Sequence, residues 1–179
     1  MTFGKWALLA AVALALTGCG GRSQKEMTAA SYCPSPLTVQ DAQSITRFKP
    51  GTGRDPRDVV FEAQMLGVVT QCSMSRHSME VDVVMRIAVN AGPSISGGVT
   101  RVPFFVRVIG AGDRVVQGSD QYADYKISQA SPRGVSEETM AVTLPFSQLR
   151  DLGGYRIAVG LKPTPEELQY NRRGEQQRQ

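Results

Sequence analysis

Between Met79 and Asn90 the chain alternates with a period of two. Met79, Val81, Val83, Met85, Ile87 and Val89 are apolar, and Glu80, Asp82, Val84, Arg86, Ala88 and Asn90 interleave them as a mostly polar set. Successive side chains of a strand point to opposite faces. The stretch therefore predicts a strand with one buried and one solvated face, as in an antiparallel sheet. Such a strand needs partners, and the flanking sequence offers them. Val59, Phe61, Ala63, Met65 and Val69 suggest one just before it, and Val102, Phe104, Val106 and Val108 suggest one after it. Gly110-Ala111-Gly112-Asp113 reads as a hairpin turn, because glycine tolerates positive φ. Val115 and Val116 then begin a return strand.

Further short strands are predicted at Ile45 to Phe48, at Tyr122, Tyr125 and Ile127, at Met140, Val142 and Leu144, and at Tyr155, Ile157, Val159 and Leu161. Pro103 and Pro145 lie inside these patterns. Lacking the ladder N–H, they are assigned to edge or bulge positions. Seven or eight short strands punctuated by Gly, Pro and Ser predict an all-β fold. The expected form is a two-sheet antiparallel sandwich, with a small barrel as the alternative closure.

The N-terminus has a different character. Lys5 precedes an unbroken apolar run of 11 residues, Trp6 to Leu16. A spanning helix needs about 17 or more residues, so the run suits a signal-peptide core instead. It ends in Leu16-Thr17-Gly18-Cys19, which resembles the lipobox of bacterial lipoproteins. That resemblance implies a diacylglyceryl group on the Cys19 thiol, cleavage in front of it, and a membrane anchor of two or three acyl chains. In the lipoproteins this stretch resembles, Asp after the Cys favours the inner membrane. Gly20 stands there, so the expected location is the cell envelope, at the outer membrane facing the periplasm.

The expected organisation follows: signal peptide 1–18, lipidated Cys19 and a flexible tether to residue 31, a β-sandwich with a C-terminal helix over 32–174, and a polar tail 175–179. The tether reads GGRSQKEMTAAS from Gly20 to Ser31 and shows no periodicity. The net charge of +4 falls to +3 when Lys5 leaves with the leader. Apart from Arg172, Arg173 and Arg178 in the tail it is not clustered, and it lacks a basic stripe with interleaved aromatics, which argues against a nucleic-acid partner.

With Cys19 acylated in an oxidising compartment, Cys33 and Cys72 remain as an even pair and are expected to form a disulfide. It would close a loop of about 40 residues, for which loop-closure entropy gives about 4 kcal/mol. A redox or nucleophilic role would need a CxxC spacing or an adjacent base, and neither Cys33-Pro34 nor Cys72-Ser73 has one in sequence.

Asp151-Leu152-Gly153-Gly154-Tyr155-Arg156-Ile157 is similar to the tyrosine-corner stretch of immunoglobulin-like sandwiches. The resemblance implies a Tyr155 hydroxyl bonded back to the chain. Two features depart from that pattern: Ile157 stands where antibody domains carry Cys, and no strand is evident after Leu161. Thr164-Pro165-Glu166-Glu167 then reads as a helix start, with Thr164 as N-cap, Pro165 at N1 and Glu167 completing a capping box. A short helix is predicted to about Asn171. It either caps an open end of the sandwich or presents Tyr170, Asn171, Arg172 and Arg173 to an envelope protein partner.

Cys33-Pro34, Cys72, the Val102 to Val106 strand and the Thr164 to Arg172 segment together resemble a group of uncharacterised small proteobacterial lipoproteins. That group implies export and this fold, and it implies no activity.

Catalytic chemistry has little to work with. The single histidine, His77, lies in a turn-like Ser73 to Ser78 stretch without a strained GxSxG elbow. One His and a cysteine pair do not make a metal site. Asp55 and Asp58 read as solvated loop charges, and Glu137 and Glu138 would face opposite sides of a strand. The Gly-rich turns lack a P-loop lysine and a following helix. No cofactor, metal or catalytic residue is expected. The expected function is a non-enzymatic interaction or assembly module, with a small-molecule or lipid carrier as the alternative.

Overall fold

The computed structural model describes residues 24–51 and 54–176. Among these, two helices, α1 (Gln24–Tyr32) and α2 (Pro165–Gln176), flank eight strands. The strands are β1 (Pro36–Thr38), β2 (Ser44–Phe48), β3 (Val59–Met74), β4 (Ser78–Ala91), β5 (Val99–Ile109), β6 (Val115–Lys126), β7 (Arg133–Pro145) and β8 (Arg156–Leu161). They form two four-stranded sheets, ordered β1-β8-β5-β6 and β2-β3-β4-β7. Every neighbouring pair is antiparallel except β1 with β8. The fold is the expected two-sheet sandwich.

Period-two alternation puts the core between the sheets. Met79, Val81, Val83, Met85, Ile87 and Val89 are all buried, and the inner residues of β5 and β8 bury against them. At about 25 cal/mol per Å² of apolar surface removed from water, this face is the main source of stability.

The connectivity follows the immunoglobulin plan closely. There, strands B and E pair in one sheet and C and F in the other. Here β4 pairs β7 and β5 pairs β8, while β4–β5 and β7–β8 each step between sheets. Strand β6 lies beside β5, where a C′ strand lies in variable domains. Among the described residues no strand follows β8, because Pro163 and the Thr164 cap turn the chain into α2. The place of the last immunoglobulin strand is taken by β1, from the other end of the chain and running parallel to β8.

Five sequence expectations change. The Val115 and Tyr122 to Ile127 stretches are one strand, β6, so the total of eight includes β1, which no periodicity announced. In β3 the register shifts between Met65 and Gly67. Leu66 is the extra residue of a bulge, and a one-residue insertion reverses the faces beyond it. Val69 is therefore 56% exposed, not in line with Met65. Pro103 sits in the middle of its sheet, paired with Tyr122. Its carbonyl accepts from the Lys162 N–H at 2.8 Å on the β8 side, one rung past the end of β8, so the missing N–H interrupts no ladder. Pro145, by contrast, ends the edge strand β7, as expected.

The two remaining changes lie at the ends of the chain, the first in the flexible tether. From Gln24 it is helical, and Ala29 of α1 is buried where the helix packs on β3 and on the 3-10 turn Leu149–Gly154. Gln, Lys, Glu, Met and Ala favour helix, and one small buried face suffices to dock it. The folded body therefore begins at Gln24 at the latest. At the other end α2 runs to Gln176, past the predicted end at Asn171 and into the segment expected as a polar tail.

Candidate functional site

Cys19 and the leader lie outside the described residues. The second expected feature is present: Cys33 and Cys72 form a disulfide with Cα atoms 5.7 Å apart. It fastens the end of α1 to β3, and the Thr70 hydroxyl donates to the Pro34 carbonyl at 2.9 Å beside it. Both contacts hold chain to chain, which is a structural role.

The capping box of α2 forms as the residue pattern predicts. The Thr164 N–H donates to Glu167 Oε2 at 2.8 Å and the Glu167 N–H donates to Thr164 Oγ1 at 3.3 Å. Glu167 does more than cap. It is buried and takes a two-pronged ion pair from Arg47 of β2. Arg47 in turn lies over the Phe61 ring, 5.4 Å from its centroid.

The four residues expected to dock a partner sit at this same seam, and three are already engaged. Tyr170 packs edge-on against Phe48 with ring centroids 5.2 Å apart. Asn171 Nδ2 donates to the Ser44 carbonyl at 2.8 Å and to the Asp41 carbonyl at 3.3 Å. Arg172 pairs with the Asp41 carboxylate at 2.7 Å. These side chains fasten α2 over the open edge strand β2, so Tyr170, Asn171 and Arg172 are engaged within the chain, Arg172 with its side chain still largely exposed. Arg173 stays exposed on the helix. Their polar character signalled a contact, and the contact is intramolecular.

Residues far apart in sequence meet at the opposite end of the sandwich. His77, Pro145, Phe146, Ser147, Asp151 and Tyr155 line an open cleft of about 560 Å³. The Phe146 N–H donates to the His77 carbonyl at 3.0 Å, tying the β3–β4 turn to the corner between β7 and β8. The combination of His, Ser and Asp invites a hydrolase reading, but the bonds do not follow it. Asp151 Oδ2 accepts the N–H groups of Gln148 and Ser147 at 2.8 and 3.0 Å. Those two bonds hold its pKa below the ordinary value of 3.8. Its carboxylate thus caps the 3-10 turn instead of orienting an imidazole.

Other titratable groups are similarly placed. Asp55 caps the 3-10 turn Pro56–Asp58 and pairs with Arg57, which depresses its pKa. Asp58 pairs with Lys49 at 2.7 Å. Glu137 faces solvent opposite Arg86, while Glu138 points inward opposite Met85 and is half-buried, so the two face opposite sides as expected. An inward carboxylate on the edge strand β7 discourages edge-to-edge pairing. On the outer face of the other sheet, Lys162 and Arg107 both bond Asp120 and hold its pKa low. The Tyr125 hydroxyl crosses between the sheets to the Ile87 carbonyl at 3.1 Å and meets Ser136 Oγ at 2.6 Å, and burial pushes its pKa up.

The outer face of β3, β4 and β7 carries apolar side chains as well. Val69 opposes Val84, and Ala88 opposes Val135, four residues apart along β4. Leu66, Val69 and Val135 are exposed there, Val84 and Ala88 are half-buried, and the Arg86–Glu137 rung lies between the two apolar pairs. Comparison with known proteins finds no match: no family model, no curated protein and no solved structure is similar to this chain.

Proposed function

We propose that this chain is an exported lipoprotein, acylated at Cys19, whose rigid sandwich serves as a non-enzymatic interaction module of the cell envelope. The observation that carries the reading is where apolar surface is left over. The inner faces of both sheets are filled, with Val81, Val83, Met85 and Ile87 of β4 and Val102 and Val159 opposite them fully buried. Apolar side chains are instead left exposed on the outside, among them Leu66 and Val69 of β3 and Val135 of β7. Exposed apolar patches on a stable scaffold suit protein contacts. A carrier for a small molecule or lipid would instead want apolar space between the sheets.

Mass spectrometry of protein extracted from membranes is expected to show an N-terminal peptide that begins at acylated Cys19. An unmodified Cys19 thiol rejects the anchor. Photo-crosslinking residues placed at Val69 and Val135 are expected to give one discrete adduct in cells. The module reading falls if both positions give none while a stoichiometric small molecule is recovered from the folded domain.

A further inference from the structure

The helix α1 changes how an anchored domain can be held. With α1 docked, the link from Cys19 to Gln24 is five residues and spans at most about 18 Å by covalent geometry. The helix lies against the Leu149–Gly154 turn and is pinned through Cys33 to Cys72, two residues from the end of β3. The chain therefore joins the sandwich at the end formed by the β3–β4 turn, the β5–β6 hairpin and the Leu149–Gly154 turn.

That end has a consistent chemistry. Arg76, Arg114, Arg150 and Arg156 are all exposed there, against Asp113 and Asp151, which leaves a net charge of +2. Arg156 pairs with Asp113. Arg76 and Arg114 have no carboxylate within ion-pair distance among the described residues, and Asp151 is held by backbone N–H groups. Glu80 and Asp82 lie further along the outer face of β4. Beside these arginines, Val115 and Val116 are each 59% exposed and Leu149 is 37% exposed. Cations next to protruding aliphatic side chains match an anionic headgroup layer over acyl chains.

We infer that this end of the sandwich rests on the anionic lipid surface of the anchoring membrane. The contact would turn the α2 end and the outer face of β3, β4 and β7 towards the aqueous compartment. The inference rests on the proposed acylation of Cys19 for its geometry, and on Arg76, Arg114 and Arg150 for its chemistry.

The test uses the full processed chain, extracted from membranes and placed on vesicles of phosphatidylethanolamine with phosphatidylglycerol, or of phosphatidylcholine alone. Amide exchange at 110–116 and 148–154 is expected to be about threefold or more slower on the anionic vesicles, with 92–98 and 127–132 at the far end unchanged. The R76Q/R114Q/R150Q variant is expected to lose that difference while remaining vesicle-bound. Equal exchange on the two lipids, equal protection at both ends, or an unaffected triple variant overturns the inference. Release from phosphatidylcholine vesicles in high salt would instead overturn the anchor. In that event, low-salt sedimentation with the anionic vesicles that is lost in the triple variant supports the basic end as the lipid contact, and its absence overturns it.

Discussion

The Tyr155 hydroxyl donates to the Pro145 carbonyl at 2.9 Å, closing the corner where the chain passes from β7 to β8. The bond joins the last residue of one sheet's edge strand to the residue just before a strand of the other sheet. It is the tyrosine corner that the 151–157 segment resembled, and it anchors the step on which the interlocked β4–β7 and β5–β8 pairs depend.

Replacing Tyr155 with Phe removes that bond and keeps the ring. The expected cost is about 0.5–1.5 kcal/mol, read as a lower urea midpoint at unchanged slope. A midpoint within error of the parent would show that the corner is held by packing alone.

The C33S/C72S double variant should lose about 2–4 kcal/mol, because the oxidised chain enters unfolding with a loop of about 40 residues already closed. Hydrogen exchange should also quicken selectively in α1, which the bridge holds to β3. Uniform destabilisation with α1 still protected would mean that Ala29 and its neighbours dock the helix unaided.

Glu167 and Arg47 should couple strongly. The carboxylate is 6% exposed and the guanidinium 34%. Removing one partner leaves the other poorly solvated, and a double-mutant cycle with Arg47→Met and Glu167→Gln should return about 1–2 kcal/mol once Arg47's partial exposure is allowed for. Glu167→Ala should in addition fray α2, since it deletes half of the capping box. Retention of full helical signal and of Asn171 protection in that variant would contradict this account of the seam.

Acid should weaken the outer face of the β1-β8-β5-β6 sheet. Bonds from Lys162 and then Arg107 hold the Asp120 pKa below its ordinary 3.8. A carboxylate depressed in the native state stabilises it above the unfolded pKa, and that contribution disappears as pH falls through the lower folded value. The difference in stability between parent and Asp120→Asn should therefore shrink on acidification below about 3.8. A difference that holds constant from pH 6 down to pH 2 would rule out the ion pairs as its source.

Much of the architecture was readable residue by residue. The alternation of Met79 to Val89 placed β4 with its buried face, and Thr164, Pro165 and Glu167 marked the start of α2, because both signals arise within a few residues of chain. The bulge at Leu66 was not readable, since a one-residue slip in β3 shows only against the register of β4. The role of Tyr170, Asn171 and Arg172 was equally hidden. Polar side chains on a helix look alike whether their partner is another molecule or the chain's own Asp41 and Ser44.

By itself the sequence determined that this chain is all-β and where most strands run, and it left sandwich and barrel both open. Local periodicity encodes those properties through burial of alternate side chains. Only the tertiary structure decided that β1 fills the place beside β8, that α1 docks instead of dangling, and that α2 closes over β2. Each of these depends on contacts between residues from distant parts of the chain, whose energies belong to the assembled sheets and to no single segment.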